Sequence, residues 1–184
     1  MQHNILVNHD INPYQRKLRK MDPNVEPSIK KELNKLLLAR IIFHARNTQW
    51  IENLVPVRKR NGDIHLCVDF QYLKRDSKKY KYPVPPMEQI LQKVFCSKMF
   101  SLLDGFSSYN KVLVSHSYQF KTSIKTPWDT FSYRKITFGL INVGSTFKRE
   151  MDVDFRGLLK KYLVFYLDDV TIFSKRRQDQ VYHN

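Results

Sequence analysis

Apolar residues recur at helical spacing in two long stretches and form shorter runs or alternations elsewhere. Ile29, Leu33, Leu36, Leu37 and Ile41 share one helical face, so a helix is predicted to open at Glu26-Pro27-Ser28, with Ser28 as its cap. Phe147, Met151, Phe155, Leu158, Leu159 and Tyr162 predict a second helix over 145–162. Strands are predicted over 54–60 and 63–70, joined by Asn61-Gly62 as a two-residue hairpin turn. Tyr82-Pro83-Val84-Pro85-Pro86 is predicted extended, because each proline excludes helix from the residue before it, and a short helix follows over 87–94. Residues 99–105 read as a buried strand ending in Asp104. Further strands are predicted over 111–115, 122–126 and 131–137, the last after a turn at Pro127-Trp128-Asp129, with Phe138-Gly139-Leu140 as a loop. Leu163-Val164-Phe165 and Val170-Thr171-Ile172-Phe173 then bracket an acidic pair, Asp168-Asp169, as two strands of a hairpin. Hairpins alternating with helices predict an α+β fold.

Charge changes this picture at two places. Lys and Arg number 32 against 17 Asp and Glu, a net charge of +15 over 184 residues. That excess points to a polyanionic partner, or else to a solvated basic surface. Residues 1–25, with Arg16-Lys17-Leu18-Arg19-Lys20 at their centre, are expected to form a basic N-terminal arm outside the core. Arg58-Lys59-Arg60 puts a cationic cluster at a hairpin tip, suited to phosphates or simply to solvent. No run approaches the roughly 20 apolar residues that span a bilayer, and the first residues lack the pattern of a signal peptide. An intracellular protein with no membrane partner is therefore expected, its compartment unspecified. Two cysteines, Cys67 and Cys96, make neither a disulfide framework nor a zinc ligand set, and the six histidines show no metal spacing.

The candidate chemistry lies in the acids. Adjacent carboxylates at the mouth of an apolar hairpin repel each other and lose hydration, which a divalent cation relieves. A polar hairpin tip is the plainer reading, since Asp is a common turn residue. Asp104, at a strand end, could join Asp168 and Asp169 to make the three carboxylates of a two-metal phosphoryl-transfer site.

At this point several ordered motifs resemble one family. Val55-Pro56-Val57-Arg58-Lys59-Arg60-Asn61-Gly62, Leu66-Cys67-Val68-Asp69-Phe70 and Tyr82-Pro83-Val84-Pro85 are similar to its fingers hairpin, the next motif and the link to its palm. Phe100-Ser101-Leu102-Leu103-Asp104-Gly105-Phe106-Ser107 resembles its first catalytic motif. Phe138-Gly139-Leu140-Ile141-Asn142 with Thr146-Phe147, and Tyr166-Leu167-Asp168-Asp169, resemble two more. The chain looks like the reverse transcriptase of a gypsy-type LTR retrotransposon, of the plant kind.

The resemblance implies a right-hand polymerase with fingers at about 26–85 and 113–143, palm at about 86–112 and 144–184, and no thumb. It implies RNA-directed DNA polymerisation with two Mg2+ (or Mn2+) ions, deoxynucleoside triphosphates and an RNA or DNA template with its primer. RNase H and integrase would be further domains of the parent polyprotein. Asp104, Asp168 and Asp169 would be catalytic and, with the Gly105 carbonyl, hold the metals. Arg58, Lys59, His65, Gly105, Phe106, Tyr109, Phe138 and Gly139 would meet the incoming nucleotide, Tyr109 closing the sugar pocket against a ribose 2′-hydroxyl. Tyr166, Leu167, Asn142 and Pro83 would contact nucleic acid. Departures from the family pattern are also plain. His65 stands for an Arg that grips the triphosphate, Ser108 for a Gly, Asp129 for the Gly of a Trp-Gly turn and Thr137 for a Pro; Lys74 stands for Asn and Lys111 for Gln. Three functions follow: an active polymerase segment, a degenerate non-catalytic remnant, or a basic nucleic-acid-binding module. The departures favour the second for the isolated chain.

Overall fold

The computed structural model describes residues 2–8, 10–60, 62–83, 86–95, 97–104, 112–159, 162–166 and 169–174. It divides into two compact units, Gln2–Lys79 with Val112–Ile141, and Tyr80–Lys111 with Asn142–Asn184.

The first unit begins with β1 (Gln2–His3) and α1 (Glu26–Leu38). Pro27 lies in the first turn of α1, where its missing N–H costs nothing, and Val25 is the N-cap. Ser28 therefore sits inside the helix and does not cap it. The helix buries Ile29 and Leu33. It ends by a Schellman motif: the Ile41 N–H donates to the Leu36 carbonyl and the Arg40 N–H to that of Leu37, both at 2.9 Å. Arg40 takes the left-handed position (φ 54°), so Ile41 lies beyond the helix.

A five-stranded sheet carries this unit. Its strands are β2 (Ile42–His44), β3 (Glu52–Arg58), β4 (Ile64–Asp69), β7 (Ile124–Lys125) and β8 (Thr130–Tyr133), in the order β2-β8-β7-β3-β4. Leu54, Leu66, Val68, Ile124, Phe131 and Tyr133 line its core together with Phe70 and Leu73, the latter on α2 (Gln71–Asp76). The β3–β4 connection is one residue longer than the expected two-residue turn. Arg58 pairs with Ile64, the Lys59 N–H donates to the Asp63 carbonyl at 2.8 Å, and the Gly62 N–H donates to the Lys59 carbonyl at 3.0 Å. Gly62 takes φ 86°, the left-handed position that closes a three-residue hairpin loop. Between β6 (Leu113–Val114) and β7 the chain turns through α4 (His116–Gln119) and a 3₁₀ turn (Phe120–Thr122), which shortens the predicted strands. The Thr122 and Ser123 hydroxyls hold that turn by donating to the carbonyls of Gln119 and Phe120.

The N-terminal segment is not a loose arm. β1 pairs in parallel with β6, Val7 bridges Ser77, and Gln15 bridges Ile51. His3 and Ile5 are 1% and 2% exposed. The few apolar residues among the charges are what the fold uses, and burying them outweighs the basic composition that suggested an arm.

The second unit contains α3 (Met87–Phe95), β5 (Met99–Asp104), α5 (Val143–Asp154), β9 (Leu163–Tyr166) and β10 (Asp169–Ser174). Its antiparallel sheet has the order β5-β10-β9. Ile90 and Val94 of α3 pack on Val164 and Phe173. Met151, Phe155 and Leu159 pack on Leu163, Phe165 and Ile172, residues that alternate with that first set along the strands. α5 stops earlier than its apolar pattern predicts: Phe155 closes it by donating to the Met151 carbonyl, and turns carry Leu159 onto the sheet. On β5 Leu102 is 70% exposed, and among the described residues the strand has one neighbour, β10. Among the described residues no helix is long and apolar enough to cross a membrane.

Candidate active site

Strand register sets two of the acids, Asp104 and Asp169, opposite each other. Asp104 is the last residue of β5 and Asp169 the first of β10, and they are direct cross-strand partners. On its other side Asp169 pairs with Tyr166, the last residue of β9. Tyr166, Asp169 and Asp104 thus form one row across three strands, at one end of the sheet. Directly opposite residues of an antiparallel pair have Cα atoms about 4.5–5.5 Å apart. Like charges so placed oppose folding unless a cation compensates. Carboxylate oxygens are also the donor type that hard divalent cations prefer. Leu167 and Asp168 connect β9 to β10 and lie outside the described residues, as do Gly105, Phe106, Ser108, Tyr109 and Lys111.

The remaining expected residues divide between the two units. In the first, Arg58 and Lys59 are exposed at the β3–β4 tip, and His65 is half-buried opposite Val57. Phe138 is 43% exposed. Gly139 beside it has φ 95°, and a Cβ there would lie 3.1 Å from the Val68 carbonyl and 3.3 Å from the Phe70 ring. Conformation and space both demand glycine, so the loop of 138–140 rests against the end of β4. In the second unit, Asn142 is the N-cap of α5 in a left-handed conformation (φ 65°), and its side-chain oxygen accepts the Tyr80 N–H at 2.8 Å. That bond ties the start of α5 to the segment carrying Pro83, which is exposed; Val84 and Pro85 lie outside the described residues. The Tyr82 hydroxyl donates to Asp152 at 2.9 Å, and Lys148 pairs with the same carboxylate. The Asp152 bond pushes the Tyr82 phenol up from its ordinary value.

Two of the family departures have a structural account. Asp129 keeps a negative φ, so the position does not demand glycine. Its carboxylate accepts the Thr130 N–H at 2.7 Å and pairs with His44 Nδ1 at 2.5 Å, and the His44 bond holds Asp129 below the ordinary carboxylate range. Thr137 supplies a hydroxyl partner for buried Tyr133, whose phenol burial pushes up to about 12.

One charged cluster escapes a motif reading altogether. Glu52 is 1% exposed in β3 and accepts the Leu73 N–H at 3.1 Å. Arg16 Nε lies 3.1 Å from Glu52, its Nη1 donates to Asp69 at 2.8 Å, and its guanidinium lies 4.7 Å from the Tyr72 ring centroid. Burial raises the Glu52 carboxyl, against the opposing pull of the Leu73 N–H and Arg16. The one available signal was a Glu at the head of a strand whose middle, Leu54 to Val57, is apolar.

Residues 25–184 match the family described as reverse transcriptase (RNA-dependent DNA polymerase). The chain belongs to the reverse transcriptase family. It is 32% identical over 123 residues to the retrovirus-related Pol polyprotein from transposon gypsy of Drosophila melanogaster, a match covering 67% of this chain and 12% of that protein. It is 28% identical over 166 residues to the transposon Tf2-3 polyprotein of Schizosaccharomyces pombe, covering 89% of this chain and 12% of the relative. This reverse transcriptase segment therefore spans about an eighth of the curated relatives it matches. Its fold is that of the prototype foamy virus protease-reverse transcriptase, with a TM-score of 0.86 at 17% identity, covering 99% of this chain and 24% of that one. A foamy viral protease-reverse transcriptase in complex with RNA/DNA hybrid gives a TM-score of 0.85 at 14% identity, covering 99% of this chain and 24% of that one. Reverse transcriptases normally use divalent metal ions.

Proposed function

We propose that this chain is the fingers and part of the palm of an RNA-directed DNA polymerase carried in a retrotransposon polyprotein. The first unit is the fingers and the second the palm. The observation that supports this most directly is the register of Asp104 opposite Asp169 at one end of the three-stranded sheet. Asp104 and Asp168, with the Gly105 carbonyl, would hold two Mg2+ or Mn2+ ions, and Asp169 would add negative charge. Such ions acidify a primer 3′-hydroxyl and neutralise charge developing on a triphosphate. Arg58 and Lys59 orient the β- and γ-phosphates. Phe106, Tyr109, Phe138 and Gly139 shape the nucleotide pocket, with Tyr109 excluding a ribose 2′-hydroxyl. Pro83, Asn142, Tyr166 and Leu167 meet the template and primer.

His65 favours a second reading of the isolated chain, as a weak or non-catalytic remnant. A half-buried imidazole replaces a planar, permanently charged, bidentate donor. Removing one such donor costs about 2–4 kcal/mol of transition-state stabilisation. The deciding experiment is Mn2+ titration together with primer extension on an RNA template. Asp104→Asn and Asp168→Asn should each weaken Mn2+ binding without loss of folding. Unchanged Mn2+ affinity in both would remove the metal site. Extension should be feeble in the parent chain and rise with His65→Arg plus Ser108→Gly. Robust extension by the parent would dismiss the remnant reading.

A further inference from the structure

The first unit holds a cavity of about 250 Å³ whose wall includes Arg46, Asn47, Gln49, Trp50, Phe120 and Lys121. None of these residues belongs to the proposed polymerase site. The wall contains two cations and no carboxylate; among the described residues neither cation is in a salt bridge, and of the two Arg46 alone feels a neighbouring acid, Asp129. Lys121 is half-buried. Its Nζ donates to the Ile5 carbonyl at 3.2 Å, which leaves two of its three donors uncommitted to that bond. It lies 4.9 Å from the Tyr118 ring centroid, and burial holds its ammonium below the ordinary lysine value. A cation kept in a partly desolvated wall without an acid partner is completed by an anionic ligand.

The rest of the wall adds the complement of a heteroaromatic ring. Phe120 is 42% exposed and fixed edge-on against Phe43, with ring centroids 5.8 Å apart. Trp50 is 5% exposed. Asn47 and Gln49 are exposed and carry both donors and acceptors. The loop bearing them is held in place: Asn47 takes φ 56°, Gln15 Nε2 donates to the Thr48 carbonyl at 3.0 Å, and the Ile51 N–H donates to the Tyr14 carbonyl at 2.9 Å. Cations beside a preorganised aromatic surface are the combination that binds unpaired nucleotides.

We propose that this cavity binds a nucleoside phosphate, with its base against Phe120 and its phosphate at Arg46 and Lys121. The ligand is either a free nucleotide or an unpaired residue of a single strand. The site does not depend on the polymerase reading, because it uses none of the acids at 104, 168 or 169 and requires no metal.

Trp50 reports on the site, since the chain has two tryptophans and Trp128 can be replaced. The full chain carrying Trp128→Phe is titrated in excess chelator with AMP, with single-stranded oligoadenylate and with inorganic phosphate. Trp50 emission should change saturably with AMP, with the oligomer or with both, and inorganic phosphate should bind at least ten-fold more weakly. A response to AMP alone assigns a free nucleotide, and one to the oligomer alone assigns a strand; either supports the site. Arg46→Gln should weaken binding several-fold, and Arg46→Gln with Lys121→Gln at least ten-fold, with circular dichroism unchanged. Arg156→Gln, which removes an exposed cation of the second unit, should leave it intact. No saturable change with the folded chain would overturn the proposal. So would equal affinity for inorganic phosphate, or undiminished binding in the folded Arg46→Gln chain.

Discussion

Arg16 and Arg58 sit in basic runs of similar make-up, yet one is absorbed by the fold and the other is left to solvent. Arg16 bridges buried Glu52 and Asp69 and lies over Tyr72. Arg58, Lys59 and Arg60 are exposed at a hairpin tip, and among the described residues no carboxylate pairs with them. Net charge therefore overstates the charge available to a nucleic acid. What separates the two clusters is where the acids of β3 and β4 lie in three dimensions, not the local count of Lys and Arg.

The largest expected effect breaks the buried cluster. Arg16→Ala strands Glu52 in a site 1% exposed and should cost about 3–4 kcal/mol of stability, measured by urea denaturation. Adding Glu52→Gln should restore part of that loss by removing the uncompensated charge. If Arg16→Ala is neutral, the segment is no more integral than the hairpin tip and the contrast fails.

The same N-terminal segment carries the next prediction, through His3. Burial lowers its imidazole to about 4, while the unfolded chain takes up the proton near 6.5. Acid then favours the unfolded state. The contribution of His3 is full above pH 6.5 and disappears as the pH falls towards 4, a loss of about 3 kcal/mol. Thermal melts across that window should fall steeply in the parent chain and less so in His3→Gln. An equal slope in both would mean that His3 is not buried.

The smallest effect on stability belongs to the exposed tip. Arg58→Gln, Lys59→Gln and Arg60→Gln together should change stability by no more than about 0.5 kcal/mol. Their effect should be on binding. The slope of log affinity for a primer–template duplex against log salt should lessen by about 0.9 for each phosphate that the tip no longer neutralises. An unchanged slope would mean that the tip does not meet nucleic acid.

Sequence and structure agree best where the information is local. The β9–β10 hairpin, the α3 helix and the β5 strand ending in Asp104 are short segments whose own periodicity and turn residues determine them, and the family can be read from their motifs. Gly62 and Gly139 likewise announce left-handed positions. The β3–β4 loop was less legible, because a two-residue and a three-residue turn use the same Asn-Gly pair, and the cross-strand register decides between them.

What the amino-acid order determined alone was the kind of element at most positions, the family, and the presence of three acids near strand ends. Only the tertiary structure decided that Asp169 lies opposite Asp104, since the register of β10 on β5 is set by pairing along both strands. It also decided that His3 and Ile5 of the basic segment are buried while Lys17, Arg19 and Lys20 stay exposed. Glu52 meets Arg16 across 36 residues of chain and Lys121 meets Ile5 across 116. No local pattern encodes such pairs, because they form only after the loops between them have closed around a shared apolar core.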